Sequence, residues 1–87
     1  MTIYVHPRYN RSHARLDPQL QRLADRRILL FRRDPFDPRL DTHPLHGKLK
    51  KQWSFSINQR DRILFEFLDK KKEEVAFLDI GDHSIYR

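Results

Sequence analysis

The segment from Trp53 to Arg87, WSFSINQRDRILFEFLDKKKEEVAFLDIGDHSIYR, constrains the fold more than any other part of the chain. WSFSI alternates apolar and polar residues, RILFEFL and VAFLDI are rich in β-branched and aromatic residues, and polar turns separate the three. The pattern predicts an antiparallel meander of three strands followed by a short polar tail. A symmetric turn over residues 69–74 sets Phe67 opposite Ala76, Phe65 opposite Leu78 and Ile63 opposite Ile80, so that one face is wholly apolar. A three-residue loop at Gln59, Arg60 and Asp61 adds Trp53, Phe55 and Ile57 to that face. A two-residue loop would oppose those three to Glu66, Leu64 and Arg62 and turn a core face outward, so the three-residue loop is preferred.

The opposite face then carries Ser54, Ser56, Asn58, Arg62, Leu64, Glu66, Phe77 and Asp79. His83 continues its parity if the last strand runs past Gly81, which brings Arg62 and His83 together at one end of the sheet. Function is expected on this face. Trp53 and Phe55 belong to the core register, whereas Phe77 is placed to stack on a base or to be covered by the C-terminal segment. If HGKLKKQ is extended, Lys48 and Lys50 share the parity of Ser54 and Ser56 and line the same face.

Upstream, Ile3 and Val5 suit a short opening strand. Pro7 suits the first turn of a helix reaching about Ala14, with His6, Tyr9, His13 and Leu16 as inward positions. Asp17-Pro18 reads as an N-cap followed by proline at the first helical position. Leu20, Leu23, Ala24, Ile28 and Phe31 then form an apolar helical stripe to cover the sheet, giving a two-layer α/β domain. DPFDPRLDTHP ends this helix, with Phe36 and Leu40 as its anchors.

With 87 residues the chain is read as one small domain, residues 1–87. It has no cysteine, which excludes a disulfide framework and a thiolate metal site. Eighteen Lys and Arg against twelve Asp and Glu give a net charge of +6 and point to an anionic partner, nucleic acid or acidic protein. No long apolar run or signal-peptide pattern occurs, so a cytoplasmic protein without membrane attachment is expected.

His43, His46 and His83 have side chains that exchange protons near neutral pH, and their spacing matches no zinc motif. Arg62 offers a rigid fork of donors for phosphate, with an ion pair to Glu66 or Asp79 as the plainer reading. Asp61 is either a turn former or an acid–base group beside Arg62. Tyr86 is either C-terminal packing or a catalytic hydroxyl. Together these groups suit metal-free RNA cleavage by internal attack. A base takes the proton of a 2′-hydroxyl, Arg62 with nearby lysines stabilises charge on phosphate, and an acid protonates the leaving 5′-oxygen. No cofactor is required.

The motifs THPLHGKLKKQWSFSI, RDRILFEF and VAFLDIGDHSIYR, in that order and spacing, resemble the RelE/ParE superfamily of toxins from type II toxin–antitoxin modules, especially the YafQ/YoeB branch. His43-x-Leu45-x-Gly47 and GDHS with a following aromatic residue carry the YafQ-like part. The resemblance implies a RelE-like microbial ribonuclease fold, with an N-terminal strand and two helices packed on an antiparallel sheet. It further implies an mRNA interferase that cuts messages in the ribosomal A site and is silenced by a cognate antitoxin. By the same resemblance His83 is the acid, Arg62 the phosphate clamp and Asp61 or His46 the base, with His43 and Tyr86 completing the site. Two departures stand out: Arg62 replaces a tryptophan of the YafQ-like pattern, and Tyr86 lies one residue closer to the histidine. The superfamily also contains ParE-like gyrase inhibitors without RNase activity, and a non-catalytic nucleic-acid-binding module is a third reading.

Overall fold

The computed structural model describes residues 1–46 and 51–86. Strand β1 (Thr2–Val5) leads into helices α1 (Pro7–Arg15) and α2 (Pro18–Arg33), then a 3-10 turn at Pro38–Leu40. Strands β2 (His43–Pro44), β3 (Trp53–Ser56), β4 (Arg62–Phe67) and β5 (Glu74–Gly81) follow, and a second 3-10 turn spans His83–Tyr86. The sheet order is β1-β5-β4-β3-β2; β1 lies parallel to β5, and the other neighbours are antiparallel. The helices form the second layer of a two-layer α/β fold, as the hydrophobic pattern predicts. β2 was not anticipated. No helix among the described residues is long and apolar enough to cross a membrane.

Local chemistry explains where the helices begin. His6 caps α1, its Nδ1 accepting from the Arg8 amide at 3.0 Å, and Pro7 occupies the first helical position. Asp17 is extended because proline at position 18 disfavours helical backbone in the residue before it, and Leu16, the C-cap of α1, is extended as well. The Asp17 carboxylate then accepts from the Leu20 amide at 3.0 Å and starts α2. Gln21 Nε2 donates to the His13 carbonyl, which also accepts from the Leu16 amide at 3.1 Å, joining the two helices at 2.8 Å.

α2 meets the sheet through the expected stripe. Ala24 and Phe31 are fully buried, with Leu20, Leu23 and Ile28 packed beside them. Phe31 stacks on Phe55 at 4.5 Å between ring centroids and meets the edges of Phe65 at 5.0 Å and Phe77 at 5.8 Å. Leu40 is fully buried and anchors the connector; Phe36 remains half-exposed but packs on Trp53 and Phe67.

The meander keeps the expected core face of β3 and β4 and corrects the pairing. Trp53 faces Phe65 and Phe55 faces Ile63, so the loop is again three residues but lies at Asn58, Gln59 and Arg60, and the β3–β4 register differs by two residues from that of a loop at Gln59, Arg60 and Asp61. Asn58 is the cause: its side-chain oxygen accepts from the Arg60 amide at 2.8 Å and the Asp61 amide at 2.6 Å, and Ile57 N–H closes on Asp61 C=O at 2.9 Å. A two-residue shift preserves the faces.

The β4–β5 hairpin departs further. Its tip turns from Asp69 to Lys72, which adopts the left-handed conformation at φ 59°, and Asp69 Oδ1 accepts from the amides of Glu73 and Glu74. Phe67 therefore faces Val75 and Phe65 faces Phe77, not Ala76 and Leu78. Leu78 is left unpaired in a β-bulge, after which Leu64 faces Asp79 and Ile63 faces Ile80 as predicted. The bulge offsets the turn. Phe77 is consequently a core residue, 1% exposed, and is not a platform for a base. Asp79 is buried against α1, where its carboxylate accepts from the Ser12 hydroxyl at 2.6 Å, and does not line the opposite face.

Phe31→Ala should lower unfolding free energy by about 3–5 kcal/mol, since it removes the ring shared by three strands. Leu29→Ala, on the exposed side of the same helix, should change it by less than about 0.5 kcal/mol. Urea denaturation of both variants measures the contrast.

Candidate functional site

The groups expected to act on phosphate gather where β2, β3 and β4 meet the connector. Arg62 opens β4 opposite Ser56 on β3 and Gly81 on β5. Its Nη1 donates to the Ser56 hydroxyl and lies 3.7 Å from the Asp41 carboxylate. The guanidinium is thus held in place while its side chain stays 20% exposed. Its acidic neighbour is neither Glu66 nor Asp79, the two considered from sequence.

Asp41 was not among the candidates. It follows the buried Leu40 and takes the left-handed conformation, φ 50° and ψ 45°, at the end of the first 3-10 turn. Aspartate tolerates this backbone better than most residues, and that tolerance in a proline-rich connector is the only signal the sequence offers. The Asp41 carbonyl lies 2.8 Å from His43 Nδ1. A carbonyl can only accept, so Nδ1 carries the proton in this contact, and in the neutral ring Nε2 is left with the free lone pair. One residue therefore sets the tautomer of His43 through its backbone and contacts Arg62 through its side chain.

His83 sits differently from the sequence expectation. β5 stops at Gly81, whose φ of 156° and close approach to Ile85 (2.9 Å for an added Cβ) end the regular strand. His83 opens the 3-10 turn instead of continuing the strand, two residues past the ladder partner of Arg62. It is exposed, and its ring meets that of Tyr86 edge-on at 6.0 Å. Asp82 caps this turn by accepting from the Ser84 amide at 3.0 Å. That bond, with the Ser84 hydroxyl and the charges of Arg60 and His83, holds the Asp82 carboxyl below its usual pKa.

The other candidates separate from this group. Asp61 is buried, accepts from Asn58 Nδ2 at 3.1 Å and sits 3.5 Å from Arg60 Nε. It lines a cleft of about 420 Å³ with Ser12, Asp17, Asp79, Asp82 and Ser84, between the α1–α2 junction and the turn that carries His83. Ser54, the ladder partner of His43, is fully buried, and its hydroxyl has no partner among the described residues. Burial removes it from any surface that RNA could touch, and Ser56 serves Arg62. His46 is exposed, beyond a bond from Leu45 N–H to Gln52 C=O of 2.8 Å. Lys48 and Lys50 lie outside the described residues. Among the described residues no group of three or more His, Asp or Glu converges as a metal ion would require.

No family model matches the chain, and no curated protein matches its sequence. Solved structures do match. The chain is similar to the YoeB/ParE toxin from Agrobacterium tumefaciens, with a TM-score of 0.78 and 17% identity over 95% of this chain and 99% of that one. A chain of the toxin–antitoxin complex RelBE2 from Mycobacterium tuberculosis matches with a TM-score of 0.77 and 19% identity, over 94% and 96%. YafQ from E. coli matches with a TM-score of 0.74 and 13% identity, over 97% and 94%. The chain has the RelE/ParE toxin fold. Neighbours from several branches of that fold match about equally well, so the likeness singles out neither YafQ nor YoeB.

The lowered pKa of Asp82 has a sign. Its capping contribution is full above the ordinary carboxylate value of 3.8 and is lost as pH falls through the lower folded value. The Ser84 amide resonance should therefore titrate with a midpoint below 3.8. Asp82→Ala should abolish that titration and speed hydrogen exchange in the His83–Tyr86 turn while leaving β5 protected.

Proposed function

We propose that the chain is a toxin of the RelE/ParE type acting as a metal-independent endoribonuclease on messages in the ribosomal A site. In this reading it works in the cytoplasm and is neutralised by a cognate antitoxin. The observation that carries the reading is the Asp41 junction, which presents a histidine with a free Nε2 and an arginine of fixed geometry at one end of the sheet. The fold supports the class of protein, and a chain of matching fold belongs to a toxin–antitoxin complex.

His43 Nε2 takes the proton from a ribose 2′-hydroxyl, and the resulting oxygen attacks the adjacent phosphorus. Arg62 donates to the non-bridging oxygens as negative charge builds in the transition state. The bond from phosphorus to the 5′-oxygen breaks, and His83, protonated, returns a proton to that oxygen. The products are a 2′,3′-cyclic phosphate and a 5′-hydroxyl, with protons and charge balanced. This assigns the base to His43 in preference to His46 or Asp61. His46 has no comparable fixed tautomer, and Asp61 is engaged by Asn58 and Arg60. Tyr86 positions the His83 ring.

On programmed ribosomes, His43→Ala and His83→Ala should each lower cleavage by about 10²–10⁴-fold. Arg62→Lys keeps the charge but loses the fork, and should cost at least about tenfold. Mapping RNA ends at nucleotide resolution measures all three. Cuts untouched by His43→Ala would overturn the mechanism. Arrest of DNA supercoiling with no new RNA ends would instead assign the chain to the gyrase-inhibiting class.

A further inference from the structure

The guanidinium of Arg62 is engaged on one side only. Nη1 donates to the Ser56 hydroxyl and stands 3.7 Å from Asp41 Oδ2. Nε and Nη2 have no hydrogen-bond partner among the described residues. These two nitrogens form the edge whose parallel N–H bonds match two oxygens of one phosphate. Asp41 does not block that edge. An anion bound there and the Asp41 carboxylate would lie on different sides of one cation.

Nothing in the backbone demands a negative charge at this position. The left-handed turn at φ 50° is open to asparagine and glycine as readily as to aspartate, and the carbonyl that meets His43 belongs to the main chain. Nor is the side chain placed as a structural partner. It is 69% exposed, against 20% for Arg62, and approaches a single nitrogen at 3.7 Å, so the pair adds little to stability. What the carboxylate does supply is charge beside the phosphate-binding edge. Among the described residues it is the one carboxylate within 4 Å of Arg62.

Arg62 and Asp41 together sum to zero, so an incoming anion meets oriented donors with little net attraction between charges. Each negative charge on that anion is repelled by the carboxylate. At about 6 Å in a mostly aqueous dielectric, the repulsion is worth about threefold in affinity per unit charge. Phosphates differ in this respect. A diester inside a chain carries one negative charge, whereas a terminal phosphate carries about 1.5 to 2 near neutral pH. We propose that Asp41 is a specificity-determining residue, whose carboxylate reserves Arg62 for singly charged internal phosphodiesters and disfavours doubly charged terminal phosphates. This role rests on the proposed function of Arg62 as the phosphate clamp. It keeps the clamp from being filled by free nucleotides or by chain ends, which present the same oxygens with more charge.

The test compares two ligands, 2′-deoxyadenosine 5′-phosphate and its methyl ester, which differ by one methyl group and one negative charge. Neither has a 2′-hydroxyl, so neither can be cleaved. Affinities are read from the Arg62 Nε–H resonance at about pH 7.5, where the monophosphate is close to doubly charged. Asp41→Asn should raise affinity about threefold for the ester and about tenfold for the monophosphate, moving their ratio about threefold toward the monophosphate. Asp41→Gly, which also accepts the left-handed backbone, should move the ratio equally, and unchanged His43 ring shifts would report an intact turn. Glu66→Gln removes the same charge about 13 Å along β4, beyond the screening length at about 0.1 M salt, and should leave both affinities within about 1.5-fold. Equal gains for the two ligands, no gain, or the same gain in Glu66→Gln would overturn the proposal. Binding of both ligands unchanged by Arg62→Ala would overturn it together with the clamp. If the ratio moves as expected while messages on programmed ribosomes stay uncut, the selectivity stands and the cleavage reading alone falls.

Discussion

Phe31 leaves the last turn of α2 and enters a space bounded by Phe55, Phe65 and Phe77, one aromatic ring from each strand of the meander. The contact fixes more than the separation of the layers. Stacking on Phe55 and edge contacts with the other two constrain how the helix is rotated and how far it slides, because aromatic pairs prefer particular geometries. It also requires all three strands to be in register at once. The turn at Lys72 and the bulge at Leu78 matter for this reason: together they bring Phe77 to the helix side while keeping Ile80 opposite Ile63.

A layer locked in this way leaves the two outer surfaces free to differ. On the sheet side the donors are held: Arg62 by Ser56 and Asp41, His43 by the Asp41 carbonyl. This suits chemistry, in which groups must already be oriented when charge develops. On the helix side Arg8, Arg11, Arg15, Arg22, Arg26 and Arg33 are exposed, and none has a carboxylate within 4 Å among the described residues.

The sequence disclosed what depends on periodicity and hid what depends on single backbone conformations. Strict alternation in WSFSI and the stripe from Leu20 to Phe31 identified the layers, and Asp17-Pro18 located a helix start that the Asp17 carboxylate confirms. Parity in β3 survived a register error because the error was two residues. In β5 a left-handed Lys72 changed the pairing as far as the bulge, so Phe77 was placed on the wrong face and Leu78 was set opposite Phe65. Asp41 escaped notice for the same reason, since its role follows from a left-handed backbone and from a partner, Arg62, distant in sequence. Ser54 had the right face but the wrong environment, because parity says nothing about what covers a surface.

Asp41 follows directly on Leu40, and this adjacency ties the chemistry to the core. Leu40 is fully buried, and its burial is what holds the connector against β3. Release of that single side chain would free Asp41 and with it the tautomer of His43 and the acidic neighbour of Arg62, while the aromatic cluster around Phe31 remained intact. Competence and foldedness are then governed by different equilibria, a local opening of the connector and a global unfolding of the two layers. A chain that keeps both layers would in such an opening lose the contacts of Asp41 with His43 and Arg62.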